Sequence, residues 1–228
     1  MTIMGQTFRR EMLDLIFLNT AIANIGDASG LQPSAAAGSL YVAGHTAYVA
    51  PGDNQTTNEA AYTGYARAAV ARSGSGWSRT NDVVSNVAVV SLGACTAGSA
   101  TLMFASIGTA SSGTGKVLFR LPIGSKLGPC TAATSDNITI PGLSGLAVDD
   151  RITFLAADPA GLPTGITEGT VYWVKSVSGD VITISTTQGG STLDITAAGD
   201  AIAWKVTPLA VSAGITPQFA IGTLAVNG

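Results

Sequence analysis

The segment Thr170-Val171-Tyr172-Trp173-Val174-Lys175-Ser176-Val177, then Ser178-Gly179-Asp180, then Val181-Ile182-Thr183-Ile184-Ser185, decides the fold class. Two runs of β-branched and aromatic residues flank a short turn, which is the pattern of a β-hairpin. Alternation along a strand places Tyr172 and Trp173 on opposite faces, so core packing accounts for at least one of them. Similar short runs surround the hairpin at 137–140, 151–156, 192–196 and 201–206. Turn residues at 141–142, 159–165, 188–190 and 198–200 divide them. Strands of this length and spacing predict a small barrel or sandwich.

Upstream the texture is also β. Runs at 39–50, 83–92, 101–107 and 116–121 read as strands, 65–72 fits strand or helix, and 108–115 is a loop of small residues. The tail from Pro208 returns to the same Ala/Val/Gly texture, with one further strand expected at 222–226. One helix is expected, over residues 7–25, because Phe8, Met12, Leu15, Ile16, Ile22 and Ile25 fall near helical spacing and Gly26 can end it. A helix this apolar must pack on its own domain or on a neighbouring subunit.

Composition narrows the function. Hydrophobic residues make up 46% of the chain and charged residues only 11%, which separates it from disordered chains. A weakly charged, apolar surface suits a subunit that lives in an assembly. Between Lys126 and Lys205 eight acids face four bases, while the rest carries six acids and seven bases, so the net −3 sits in the second half. Neither part is basic enough for electrostatic nucleic-acid binding, and Arg67, Arg72 and Arg79 read as a solvated face or a protein contact. No cleavable leader is evident, and the longest apolar run, Leu15–Leu18, is too short to span a membrane. Synthesis in a reducing cytoplasm is therefore expected, with Cys95 and Cys130 as thiols by default and a disulfide between them as the alternative.

Catalytic options fail on residue supply. His45 is the single histidine, so any triad or histidine metal site must pass through it, and an ordinary hydrogen-bonded role is expected instead. Gly113-Thr114-Gly115-Lys116 lacks the first glycine of a phosphate loop, because Ala110 stands there, and Val117 follows the lysine. Asp149-Asp150 lacks the alternating oxygen ligands of a calcium loop and reads as an acidic turn. Tyr172 and Trp173, with Trp204, could line a sugar site. No enzyme activity, metal or cofactor is expected.

Three stretches carry resemblances. Leu40-Tyr41-Val42-Ala43, then Asn58-Glu59-Ala60-Ala61-Tyr62-Thr63-Gly64-Tyr65-Ala66-Arg67, then Trp77 resembles the small phage virion proteins labelled tail fibre proteins, a group read here as extending to capsid decoration (cement) proteins. The ending Pro208–Phe219 is similar to that group's closing segment, with Ile215 where an acidic residue is common. The resemblance implies a virion β-sandwich with no catalytic residues to carry over. Gly161-Leu162-Pro163-Thr164-Gly165-Ile166-Thr167-Glu168-Gly169-Thr170, continuing into the hairpin, resembles a small β module of phage structural proteins, except that Gln188 replaces a proline.

Together these readings give a mainly β chain: a discontinuous sandwich with an N-terminal helix over 1–126 and 207–228, and a small barrel or sandwich inserted at 127–206 that projects outward. The leading functional expectation is a decoration protein on the capsid exterior that binds and stabilises the major capsid protein. Phe8, Arg9, Arg10, Met12, Arg67, Arg72 and Arg79 are its candidate partner contacts, and Tyr172 and Trp173 the outward-facing module residues. Self-association as a trimer is expected, and neither nucleic acid nor membrane is an expected partner. The alternative is a tail fibre or baseplate component that touches a host surface glycan.

Overall fold

The computed structural model describes residues 4–156 and 161–227. The chain is mainly β, with one helix, α1 (Gln6–Phe17), at its N-terminal end. In the first part follow β1 (Ser39–His45), β2 (Ala68–Ala71), β3 (Trp77–Thr80), β4 (Val83–Asn86), β5 (Val90–Ser91), β6 (Ser99–Leu102), β7 (Phe104–Gly108) and β8 (Val117–Pro122). The second part holds β9 (Gly124–Ala132), β10 (Ile138–Thr139), β11 (Arg151–Leu155), β12 (Val171–Ser178), β13 (Val181–Ser185) and β14 (Gly199–Val206). The chain then returns as β15 (Leu209–Ser212), β16 (Gln218–Phe219) and β17 (Val226–Asn227).

One layer of the first part is a four-stranded antiparallel sheet in the order β2-β1-β7-β8. Opposite it, three small sheets take the place of a continuous second layer: β15 with β6, β16 with β5, and β17 with β4 and β3. In each of them the C-terminal tail supplies a strand that pairs with a segment more than a hundred residues earlier. All share one core, in which Leu40, Val42, Val70, Trp77, Ile107, Val211 and Phe219 are buried together.

The second part is a closed six-stranded barrel, β10-β13-β12-β11-β14-β9. Strict alternation fills it: Ile152 and Phe154, Tyr172 and Val174, Ile182 and Ile184, and Ala201 and Ala203 all point inward. Its core draws on residues 130–203, whereas the first core draws on 13–121 and 211–226. Cys95 lies in one core and Cys130 in the other, both as buried free thiols. Burial pushes the Cys130 thiol up to about 12.

Several elements depart from expectation. The helix ends at Phe17, well short of residue 25, because Asn19 turns left-handed (φ 54) and Ile22 leaves to pair with Leu31. The 83–92 and 101–107 runs each break into two strands that join different sheets. No strand forms at 192–196; Ile195 is buried there with its N–H donated to the Asp136 carboxylate (2.7 Å). Conversely β9, rich in Gly and Pro, is the longest strand. Pro129 is tolerated because β10 pairs only with Thr131 and Ala132, so the missing N–H faces no neighbour.

Candidate functional site

The stretch Asn58–Arg67 builds a buried polar cluster. Arg67 donates from Nε to Glu59 Oε1 (2.6 Å) and from Nη2 to Glu59 Oε2 (2.7 Å), a bidentate pair with the guanidinium only 2% exposed. Its remaining donors reach the Ala110 and Gly113 carbonyls at 2.9 and 2.8 Å. Tyr65 Oη donates to Glu59 Oε1 (2.7 Å) and accepts from Gly44 N–H. Gln55 Oε1 accepts from Ala110 N–H, and Gln55 Nε2 donates to Tyr41 O. Within the same stretch Gly64 packs on another segment: at φ +92 an added Cβ would lie 2.2 Å from Ala94 O. The cluster therefore clamps the 109–115 loop onto β1 and β2. Arg67 is no partner contact, because its donors are spent on groups within the fold.

His45 lies beside this cluster with no exposed surface. Nδ1 donates to Thr57 O (2.9 Å), which fixes the tautomer, so Nε2 accepts from the Ser106 hydroxyl (2.8 Å). Burial holds its pKa below the ordinary 6.5. Among the described residues no group of three His, Cys, Asp or Glu side chains is placed to hold a metal.

The other arginines fasten the helix. Arg72 donates to the Leu15 and Ile16 carbonyls (both 2.7 Å), satisfying acceptors at the end of α1, whose own last turn holds no basic residue. Arg79 grips Asp14 with two bonds of 2.6 and 2.9 Å. Asp82, in the β3–β4 turn, accepts from Gln6 and Arg10, and Arg9 lies 4.0 Å from it. Those bonds hold the Asp82 carboxyl below its ordinary range. Leu13 and Phe17 are buried, and Phe17 packs edge-on to Trp77 (4.8 Å) and stacks on Phe119 (5.2 Å). Phe8 and Met12 are half-buried on the helix flank. Arg72 and Arg79, expected as outward contacts, are thus staples of the chain's own fold.

One family model, described as Podophage GP4 fiber I protein gp80, matches residues 7–142. The chain belongs to this family. No curated protein and no solved structure matches it. The match covers α1 to β10, so it includes every arginine staple, the Glu59–Arg67 cluster and the first two barrel strands. The protein is thus a phage structural protein of fibre type.

In the barrel of this fiber I family member the two aromatic candidates separate. Tyr172 is 2% exposed and points into the barrel, its Oη accepting from Thr167 N–H (2.9 Å). It is not an outward-facing residue, because it shares the inward parity of Val174. Trp173 stands on the outer face, half-buried, with the Arg151 guanidinium 4.7 Å from its ring centroid.

The barrel meets the first part at a contact that sequence reading missed. Arg120 on β8 donates to Tyr48 Oη (2.8 Å), and the Tyr48 ring lies against Gly169, where an added Cβ would come within 2.0 Å of it. Burial pushes the Tyr48 hydroxyl up to about 12, with Arg120 opposing and Glu168 reinforcing the shift. Gly169 sits at φ +71, and the glycine of the Gly161–Thr170 motif is the one sequence signal at this position.

Proposed function

We propose that the chain is an accessory fibre-type subunit on the exterior of a phage virion, anchored through its first part, with residues 127–206 as an inserted barrel that projects outward. It works by assembly, without catalysis. The family match over residues 7–142 carries this reading. Exposed apolar residues support it: Val89 and Ile221 are 50% and 63% exposed, and Asn86 Nδ2 donates to the Ala88 and Ala220 carbonyls, which ties together the two backbone segments that carry them. Ala220, which precedes Ile221, lines an apolar cavity of about 340 Å³ together with Leu121, Pro122, Ile123, Phe219 and Leu224. Decoration of the capsid shell is the second reading, favoured by the same low-charge apolar face. Counting copies in purified particles separates the two, since a fibre follows the low-order symmetry of the tail and a decoration protein follows the shell lattice. Val89→Asp with Ile221→Asp should leave the fold intact and abolish incorporation into particles. Normal incorporation of that double variant refutes the anchoring face.

A further inference from the structure

The outer face of the barrel carries a second pattern. Strand pairing sets Arg151 directly opposite Trp173, and Trp204 directly opposite Lys126. Arg151 and Trp204 lie on adjacent strands, diagonal neighbours because Arg151 pairs with Val206 two residues on. Reading across β12, β11, β14 and β9, the outward side chains are thus Trp173, Arg151, Trp204 and Lys126: ring, cation, ring, cation. Each like pair is two strands apart, a separation on the order of 10 Å.

The two cations also have no counter-ion among the described residues. Among the described residues neither Arg151 nor Lys126 has an ion pair or a side-chain hydrogen bond, and the Arg151 guanidinium lies over the Trp173 ring. By contrast Lys205 is paired with Asp150, and Lys175 donates to Gly190 O. Unpaired cations are unexpected on a barrel whose residues 126–205 hold eight acids and four bases.

We propose that this stripe is a binding site for an acidic oligosaccharide. Indole rings offer flat apolar surface to the C–H faces of sugar rings, and indole N–H groups meet hydroxyls. Guanidinium and ammonium groups meet carboxylates, the former bidentately. Alternation at this spacing seats a chain in which acidic groups recur between stacked rings. A nucleic acid fits less well, since its charge at every nucleotide would face the net negative barrel. A protein partner would want a contiguous apolar patch, and here cations interrupt the rings. The site retains the sequence-based candidate Trp173, drops Tyr172, and adds Arg151, Trp204 and Lys126. It holds whether the virion carries the protein on its tail or its shell.

Calorimetry and tryptophan fluorescence on the full chain test the site, with hyaluronan oligosaccharides (a carboxylate on every second sugar), neutral chito-oligosaccharides of equal length and an oligothymidylate as probes. The hyaluronan oligosaccharides should bind, with the neutral series weaker by about tenfold or more. Arg151→Gln and Lys126→Gln should each weaken acidic binding by about five- to tenfold and lower its salt dependence. Trp204→Ala and Trp173→Ala should cost about tenfold or more, with Trp173→Phe retaining most of the affinity. Should an alanine variant fail to fold, the two surface glutamine variants carry the test. Absence of binding, equal binding of neutral and acidic probes, tighter binding of the oligothymidylate, or unchanged affinity in the glutamine double variant overturns the proposal.

Discussion

Replacing Arg67 by alanine should unfold the first part of the chain far more readily than any surface arginine change. The substitution removes two charge-assisted bonds to Glu59 and the donors to the Ala110 and Gly113 carbonyls. The loop carbonyls lie near the surface and can recruit water, so their loss adds little. Glu59 is different: it is 14% exposed and would keep only the Tyr65 hydroxyl. A buried ion pair stripped of one partner typically costs about 3–5 kcal/mol, most of it from the stranded charge. Removing both charges, as Arg67→Met with Glu59→Leu, eliminates that term. What remains is the unmet Tyr65 hydroxyl and the loop contacts, about 1–2 kcal/mol in all. The double variant should therefore be more stable than the Arg67 single variant by about 2–3 kcal/mol, so the two single effects do not add. Hydrogen exchange of the 105–120 backbone reads this locally, which avoids mixing in the unfolding of the barrel. A single variant costing under about 1 kcal/mol, or two singles that add to the double, would refute the reasoning.

Other outcomes follow from the same coordinates. His45 is neutral when folded and its pKa is depressed, so the unfolded chain takes up a proton first: stability should be full above pH 6.5 and fall as the pH drops below it, by at most about 1.4 kcal/mol per unit. A His45→Gln variant should flatten that slope in urea titrations between pH 7.5 and 5, and an unchanged slope counts against the assignment. Phe17→Ala should cost about 3–5 kcal/mol through lost contacts with Trp77 and Phe119, seen as a lower thermal midpoint and early proteolysis of α1. Gly169→Ala should loosen the barrel through collision with Tyr48, raising the radius of gyration in solution scattering, and Tyr48→Ala in the same chain should relieve the clash; an unaltered scattering profile sinks the docking argument.

The sequence was legible where local chemistry settles the structure. The 170–185 hairpin forms as read, with Gly179 at φ 58 in its two-residue turn and Ser178 paired to Val181. Alternation correctly required that one of Tyr172 and Trp173 face inward, but parity alone could not say which. Other features depend on partners remote in the chain. Arg67, Arg72 and Arg79 look like a basic stripe because their acceptors, at 59, 15–16 and 14, come from other elements. The helix looked longer than it is because Ile22 keeps helical spacing while its backbone pairs with Leu31. Strand β9 was hidden by Gly124, Gly128 and Pro129, residues that break an isolated strand yet are harmless where one edge is unpaired.

The route of the chain between its two cores bears on how a fibre-type protein could present the barrel. A single flexible crossing would leave the barrel free to swing. Here both crossings lie side by side: Thr207 N–H donates to Ile123 O at 2.7 Å, and Ile123 N–H in turn donates to Met103 O. The paired segment continues directly into the β9–β14 ladder, eight residue pairs long, so bending it means breaking the barrel's own register. Tyr48, Arg120 and Gly169 add a third point of attachment away from that ribbon. The double crossing and the Tyr48–Gly169 contact together restrain how the barrel can turn on the first part. The outward stripe of Trp173, Arg151, Trp204 and Lys126 therefore holds a set direction relative to α1 and the apolar face at Val89 and Ile221. For a ligand bound at several copies on one particle, that fixed direction lets sites act together, since simultaneous engagement fails when geometry is not maintained.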